Sequence, residues 1–163
     1  MADRDYIWYA CYGSNLLEER FLIYITGGKL SINPLCDNYG CDDRRPPRDK
    51  RAVLIPYDLY FAKSSSKWEC KGVAFLDHTK PGLTLGRMYL ITREQFEDVK
   101  LQEGGWYSRQ LSLGNHTDGR EIVTFTGNEL YEANEPGALY LEVMRRGLLE
   151  IYPVLKTVFP EIR

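Results

Sequence analysis

The chain has 163 residues, 44% hydrophobic and 13% aromatic, enough to bury one sizeable core and too few for two, so a single domain over residues 1–163 is expected. Its 21 basic residues nearly balance 23 acidic ones, for a net charge of −2, and without a basic stripe no nucleic-acid partner is expected. The 12 tyrosines and 3 tryptophans therefore read as core and pocket wall rather than as a base-stacking platform.

Cys11, Cys36, Cys41 and Cys70 show no CxxC spacing, which favours free thiols in a reducing compartment. The start MADRDYIWYACYG lacks a basic leader followed by a long apolar stretch. No run approaches the roughly eighteen apolar residues of a membrane span, so a cytoplasmic protein with no membrane partner is expected.

Tyr6 to Tyr12 is aromatic, branched or small and reads as a buried first strand, broken by Gly13. Leu17, Phe21, Tyr24 and Ile25 recur at helical spacing opposite Glu18, Glu19 and Arg20, predicting a short amphipathic helix that ends near Gly27-Gly28. From Ser31 to Arg51, three prolines and alternating charges predict a long loop, either a solvated surface segment or a cover for a site. Ala52 to Ala62 reads as one strand that Pro56 places at a bulge or an edge.

A polar turn, KSSSKWE, leads to a strand over Cys70 to Asp77, and Leu85 to Thr92 forms the next. Arg93 to Glu103 is a short helix with Phe96 and Val99 inward. The segment GWYSRQLSLG, with Trp106, Leu111 and Leu113 on one face, forms a hairpin with Glu121 to Gly127. Pro136 is expected early in a last helix carrying Leu139, Val143 and Leu148, which Pro153 stops. The apolar tail with Tyr152, Val154, Leu155 and Phe159 is expected to dock on the chain's own core or on another chain, and the oligomeric state stays open. Together these elements predict a mixed α+β fold around a sheet able to close into a small barrel.

His78 and His116 lie in polar turns without a nucleophile motif beside them, and the scattered cysteines supply no metal-ligand spacing, so no metal site is expected. Glu103, in LQEGGWY, is the outstanding carboxylate. Set among Leu101, Trp106 and Tyr107 it would lose hydration and its pKa would rise toward the range useful at neutral pH; the alternative is an exposed helix-end glutamate. The turn YGSNL admits two readings as well. It is an ordinary strand-to-helix connection, or a cradle in which a restricted Gly13, an Asn15–Glu18 capping pair and free N–H groups at a helix start receive a small carboxylate. It lacks the GxxxxGK[ST] and GxGxxG patterns of nucleotide loops. Arg20 and Arg109 read as surface ion pairs.

YGSNL after an apolar strand, LGRMYLIT as a later strand and LQEGGWYSRQLSL with its glutamate before glycine occur here in an order that resembles the gamma-glutamyl cyclotransferase-like proteins, over Tyr6 to Leu113. The resemblance implies a small mixed α/β fold with a β-barrel core and flanking helices. It implies that Tyr12, Gly13, Ser14, Asn15 and Leu16 hold the glutamyl end of a small-molecule γ-glutamyl substrate, that Glu103 is the acid/base, and that Tyr107 is the aromatic residue following it. The implied reaction releases 5-oxoproline and a free amine, with neither metal nor organic cofactor. The residues between Asn33 and Arg51 match no motif of the family. A binding module that only senses γ-glutamyl or related acids, and a γ-glutamyl amide hydrolase, remain alternatives.

Overall fold

In the computed structural model, which describes residues 5–158, the elements follow in the order β1 (Tyr6–Cys11), a 3-10 turn (Ser14–Leu16), α1 (Glu18–Thr26), β2 (Gly28–Lys29), β3 (Asp37–Asn38), β4 (Asp49–Ile55) and β5 (Asp58–Ser65). They continue with β6 (Lys71–Asp77), β7 (Thr84–Thr92), α2 (Arg93–Glu103), a 3-10 turn (Gly105–Tyr107), β8 (Arg109–Asn115), β9 (Glu121–Thr126), α3 (Ala138–Ile151) and α4 (Leu155–Val158). Phe159, read from sequence as part of the apolar tail, lies outside the described residues.

Five strands form one sheet in the order β4-β7-β1-β9-β8. β1 occupies its centre, antiparallel to β7 from Tyr6 opposite Thr92 to Cys11 opposite Arg87, and parallel to β9 with Trp8 opposite Ile122. Both faces of β1 are covered, which is why its sequence is a continuous apolar run rather than an alternation. β5 and β6 form a separate hairpin, tied to the sheet where the Leu76 N–H donates to Thr126 Oγ1 at 2.9 Å. The sheet, the hairpin and the helices share one core, in which the rings of Phe21 and Tyr89 stack at 4.1 Å. No helix among the described residues is long and apolar enough to cross a membrane.

β7 runs into α2 with no intervening loop. Thr92 and Gln95 form a capping box: the Gln95 N–H donates to Thr92 Oγ1 and the Thr92 N–H to Gln95 Oε1, each at 3.0 Å. Gln95 Nε2 also donates to the carbonyls of Asp43 and Arg45, both at 2.9 Å, pinning the long segment before β4. Glu103 ends the helix because Gly104, at φ +84°, takes the left-handed conformation that stops it.

Three sequence expectations are corrected. Ala52 to Ala62 is divided at Pro56-Tyr57 between β4 and β5, which belong to different sheets, because Pro56 cannot continue a ladder. Ser31 to Arg51 is not wholly loop: Asp37-Asn38 pairs with β2, and Asp49 to Arg51 already pairs with Leu90 to Met88 of β7. The side chains of Lys50 and Arg51 stay exposed on that edge, so charge masked the strand. Pro136 lies before α3, bridged to Gly72, and Gly137 is the N-cap residue.

α3 crosses the 3-10 turn after β1 at Gly147, where an added Cβ would overlap the backbone of Leu16 and Leu17. Gly147→Ala should therefore push the helix off the turn and destabilise the protein by about 1–3 kcal/mol, read from the urea midpoint. An unchanged midpoint would contradict this packing.

Candidate active site

The site begins where β1 ends. Tyr12 is buried and its hydroxyl donates to the Phe125 carbonyl at 2.8 Å, fixing the exit of the strand against β9. Gly13 is not left-handed, but its φ of −115° and ψ of −130° lie outside the helical and extended regions, in keeping with a restricted turn residue. Close approach also requires glycine: a Cβ would lie 2.5 Å from the Tyr140 hydroxyl oxygen and 3.2 Å from Ala74 Cβ. Ser14, Asn15 and Leu16 form the single 3-10 turn, and Leu17, extended at ψ 120°, separates it from α1.

Asn15 therefore does not cap the helix, and the expected Asn15–Glu18 pair is absent. Glu18 pairs with Lys50 at 2.6 Å. The Asn15 amide turns inward, its Nδ2 donating to Glu103 Oε1 at 3.2 Å and to the Tyr9 hydroxyl at 3.3 Å, while the Tyr89 hydroxyl holds the Asn15 carbonyl at 2.9 Å. Asn15 Oδ1 is buried without a hydrogen-bond partner.

Glu103 closes the opposite side. Burial pushes its carboxyl above the ordinary glutamate value, against the opposing pull of the Tyr24 hydroxyl, the Arg20 charge and the Asn15 amide. Leu101 is 72% exposed and Trp106 37%, so they are not the apolar surroundings read from sequence. Glu103 instead shares an inner hollow of about 40 Å³ with Tyr9, Tyr12, Tyr107, Phe125 and Tyr140, together with Cys11, the Gly13–Asn15 turn and Ala74. Burial raises the hydroxyl pKa values of Tyr9, Tyr12, Tyr24, Tyr107 and Tyr140, and raises that of the Cys11 thiol. Glu103 is the acidic member of this wall.

Tyr107 is anchored through its hydroxyl, which donates to the Ala74 carbonyl at 2.8 Å, and its ring stacks on Phe75 at 4.8 Å. The Tyr140 hydroxyl accepts from the Ala74 N–H at 3.0 Å. Ser14, Glu103, Tyr107 and Tyr140 also border an outer compartment of about 330 Å³, completed by residues of α1, α2 and the β5–β6 turn. The inner hollow alone is too small for a glutamyl group, but the two compartments meet at Glu103.

The structure thus gathers Tyr12, Gly13, Ser14, Asn15, Glu103 and Tyr107 around one hollow. Leu16 does not border it: fully buried, it lies beneath α3 at Gly147. Neither histidine lines either compartment.

Sequence reasoning missed Arg20 and Tyr24. Arg20 is 3% exposed rather than part of a surface ion pair. Its Nη1 donates to Asn38 Oδ1 at 2.7 Å and its Nη2 to the Tyr24 hydroxyl at 3.0 Å. Asn38 Nδ2 continues to Gln102 Oε1 at 2.9 Å, and Gln102 Nε2 returns to the Tyr24 carbonyl at 2.9 Å. This ring ties α1, β3 and the end of α2 together one residue from Glu103. Its one sequence signal was the i, i+4 spacing of Arg20 and Tyr24. Arg109 remains at the surface, where its Nη2 reaches the Asn128 carbonyl at 3.5 Å.

Among the described residues no group of three or more His, Cys, Asp or Glu is placed to hold a metal ion. No protein-family model matches the chain. Histone deacetylase 5 from Arabidopsis thaliana is 39% identical over 187 aligned positions, covering 88% of this chain but only 28% of that protein. Among solved structures, an uncharacterised human protein superposes with a TM-score of 0.67 at 19% identity, over 97% of this chain and 86% of its own. A gamma-glutamyl cyclotransferase superposes with a TM-score of 0.65 at 20% identity, over 96% and 86% of the two chains. YkqA from Bacillus subtilis follows with a TM-score of 0.59 at 19% identity, over 96% and 54%. By its mixed α+β architecture over nearly its whole length, the chain has the gamma-glutamyl cyclotransferase-like fold.

Proposed function

We propose that the protein converts a γ-glutamyl amine or amino acid to 5-oxoproline and the free amine, with Glu103 as general base and then general acid. The observation that carries this reading is the Glu103 carboxyl, withdrawn from water with its pKa raised, facing a glycine turn across a small tyrosine-walled hollow.

The substrate holds its own nucleophile. Its α-nitrogen closes a five-membered ring on its own γ-carbonyl carbon, so holding the folded conformer lowers the barrier by several kcal/mol, up to about 7–11 in the best-oriented intramolecular reactions. Glu103 takes a proton from the α-ammonium group. The freed amine attacks, a C–N bond forms, and the carbonyl electrons move to oxygen. When they return, the amide C–N bond breaks and Glu103 gives its proton to the departing nitrogen; the ring nitrogen's second proton then passes through the emptied Glu103 carboxylate to the freed amine, leaving the lactam N–H and an ammonium product. Asn15 Oδ1, a buried acceptor lacking a donor, suits the α-ammonium group, and the Gly13–Asn15 backbone suits the α-carboxylate or the developing oxyanion. The Tyr12 and Tyr107 hydroxyls are engaged with carbonyls, so these rings shape the hollow rather than move protons.

Incubation of wild type with a panel of γ-glutamyl amino acids and amines should yield 5-oxoproline by mass spectrometry, and Glu103→Gln should lower turnover at least about a hundredfold while keeping substrate affinity. Release of glutamate in its place would indicate hydrolysis; binding without product would indicate a sensing module; full activity in Glu103→Gln would remove Glu103 from the mechanism. Because the base must be ionised, kcat/KM should fall on an acid limb lying above the ordinary glutamate value of 4.5, and this limb should be missing from residual activity in Glu103→Gln.

The same shift affects stability. A carboxyl whose folded pKa is raised opposes folding once ionised; that cost is absent below the unfolded value and grows as pH rises through the folded one. Glu103→Gln should therefore melt at an equal or higher temperature than wild type at neutral pH, an advantage that fades as pH falls through the raised folded value and is gone below about 4.5. A lower melting temperature at pH 7 would show that the ionised carboxylate stabilises the fold.

A further inference from the structure

The outer compartment has a charge pattern that the ring-closing chemistry does not need. One wall is the end of β5 and the turn that follows it, held in a shape that side-chain-bearing residues rarely adopt: Lys63, near the end of β5, has φ +66°, and Glu69 and Cys70, in the turn, have φ +62° and +56°. Within it the N–H groups of Trp68 and Cys70 both donate to the Ser65 carbonyl, at 3.0 and 2.9 Å. Asn33, 4% exposed, reaches across from the segment between β2 and β3, and its Nδ2 donates to the Lys67 carbonyl at 2.7 Å. The Lys67 backbone is thereby clamped at the rim of the compartment.

The Lys67 side chain is exposed and has no ion-pair partner among the described residues. Arg20 supplies a second cation to the same compartment, with its Nε buried and lacking a hydrogen-bond partner. Glu103 is the one carboxylate among the described lining residues, and the proposed reaction occupies it with the transferred proton. Glu69, next in the chain to Trp68, is turned away and accepts from the Leu139 N–H at 2.9 Å.

We propose that the outer compartment receives the leaving amine and that Lys67, with Arg20 behind it, selects an amine bearing a carboxylate over a polyamine or a lysine side chain. This rests on the γ-glutamyl reading above. A second ammonium on the leaving group would face two cations, one of them the buried Arg20, with no free anion to offset them. A carboxylate there gains a charge-assisted partner in Lys67 and can reach the unpaired Arg20 Nε. The indole of Trp106, under the Lys63 ammonium at 5.6 Å, leaves an apolar wall for the substituent beside that carboxylate.

The test uses γ-glutamyl-alanine, its C-terminal amide and γ-glutamylputrescine, which differ in leaving-group charge while sharing the glutamyl end. Wild type should favour the carboxylate over the amide about tenfold in kcat/KM. Lys67→Gln should bring that ratio near unity, with the loss on the carboxylate substrate read mainly in KM, and Lys67→Glu should shift preference toward γ-glutamylputrescine. Equal use of carboxylate and amide by wild type, or an unchanged preference in Lys67→Glu, would overturn the proposal. Calorimetric binding of the same three compounds to Glu103→Gln, with and without Lys67→Glu, reads the charge preference independently of turnover. A Lys67-dependent preference for the carboxylate there supports the subsite even if no 5-oxoproline is formed; loss of product alone counts against the reaction, and equal binding counts against the subsite.

Discussion

A carboxylate withdrawn from water has to be held by donors, and the bond from Asn15 Nδ2 to Glu103 Oε1 does this across 88 residues of sequence. It requires the end of β1 and the end of α2 to arrive at one point. β1 is fixed as the central strand of the sheet, and α2 starts directly from its neighbour β7, so both termini are measured from the same pair of strands. The position of Glu103 is set by the length of one helix rather than by a flexible connection.

Around that bond lie two kinds of support. On the inner side tyrosines anchor their hydroxyls to backbone carbonyls or amides and present rings to the hollow. On the outer side the ring of Arg20, Asn38, Gln102 and Tyr24 binds α1 and α2 through charged and neutral hydrogen bonds. Asn38 and Asn33 both come from the proline-rich segment that sequence left without a role, and each holds a residue that lines the outer compartment, Gln102 and Lys67 respectively. The segment contributes structure through scattered asparagines, whose partners are distant in sequence.

Legibility in the sequence followed the range of the interactions. Apolar runs and helical spacing marked β1, α1 and α2, because their determinants lie within a few residues, whereas the Asn15–Glu18 cap read for α1 is absent and the Thr92–Gln95 capping box was not read. The glycine turn and Glu103 were visible by motif, and the structure sets them around one hollow. Leu16 was misplaced because a motif does not tell a residue that faces the hollow from one that supports the turn. Arg20 was misread because burial of its charge depends on Asn38, 18 residues away, as well as on the nearby Tyr24. Gly13 was explained by backbone conformation alone, and the structure adds a second requirement from the Tyr140 hydroxyl, 127 positions along the chain.

The raised hydroxyl pKa values of the tyrosine wall bear on proton traffic. Because burial keeps Tyr9, Tyr12, Tyr24, Tyr107 and Tyr140 protonated well into alkaline solution, the walls neither supply nor absorb protons as the hollow fills and empties. In the proposed cycle the only mobile protons are then those of Glu103 and of the substrate's own nitrogens. In that proposed cycle the hollow is an insulating sleeve around a single proton carrier, and the protons that leave the attacking nitrogen are those the departing amine receives.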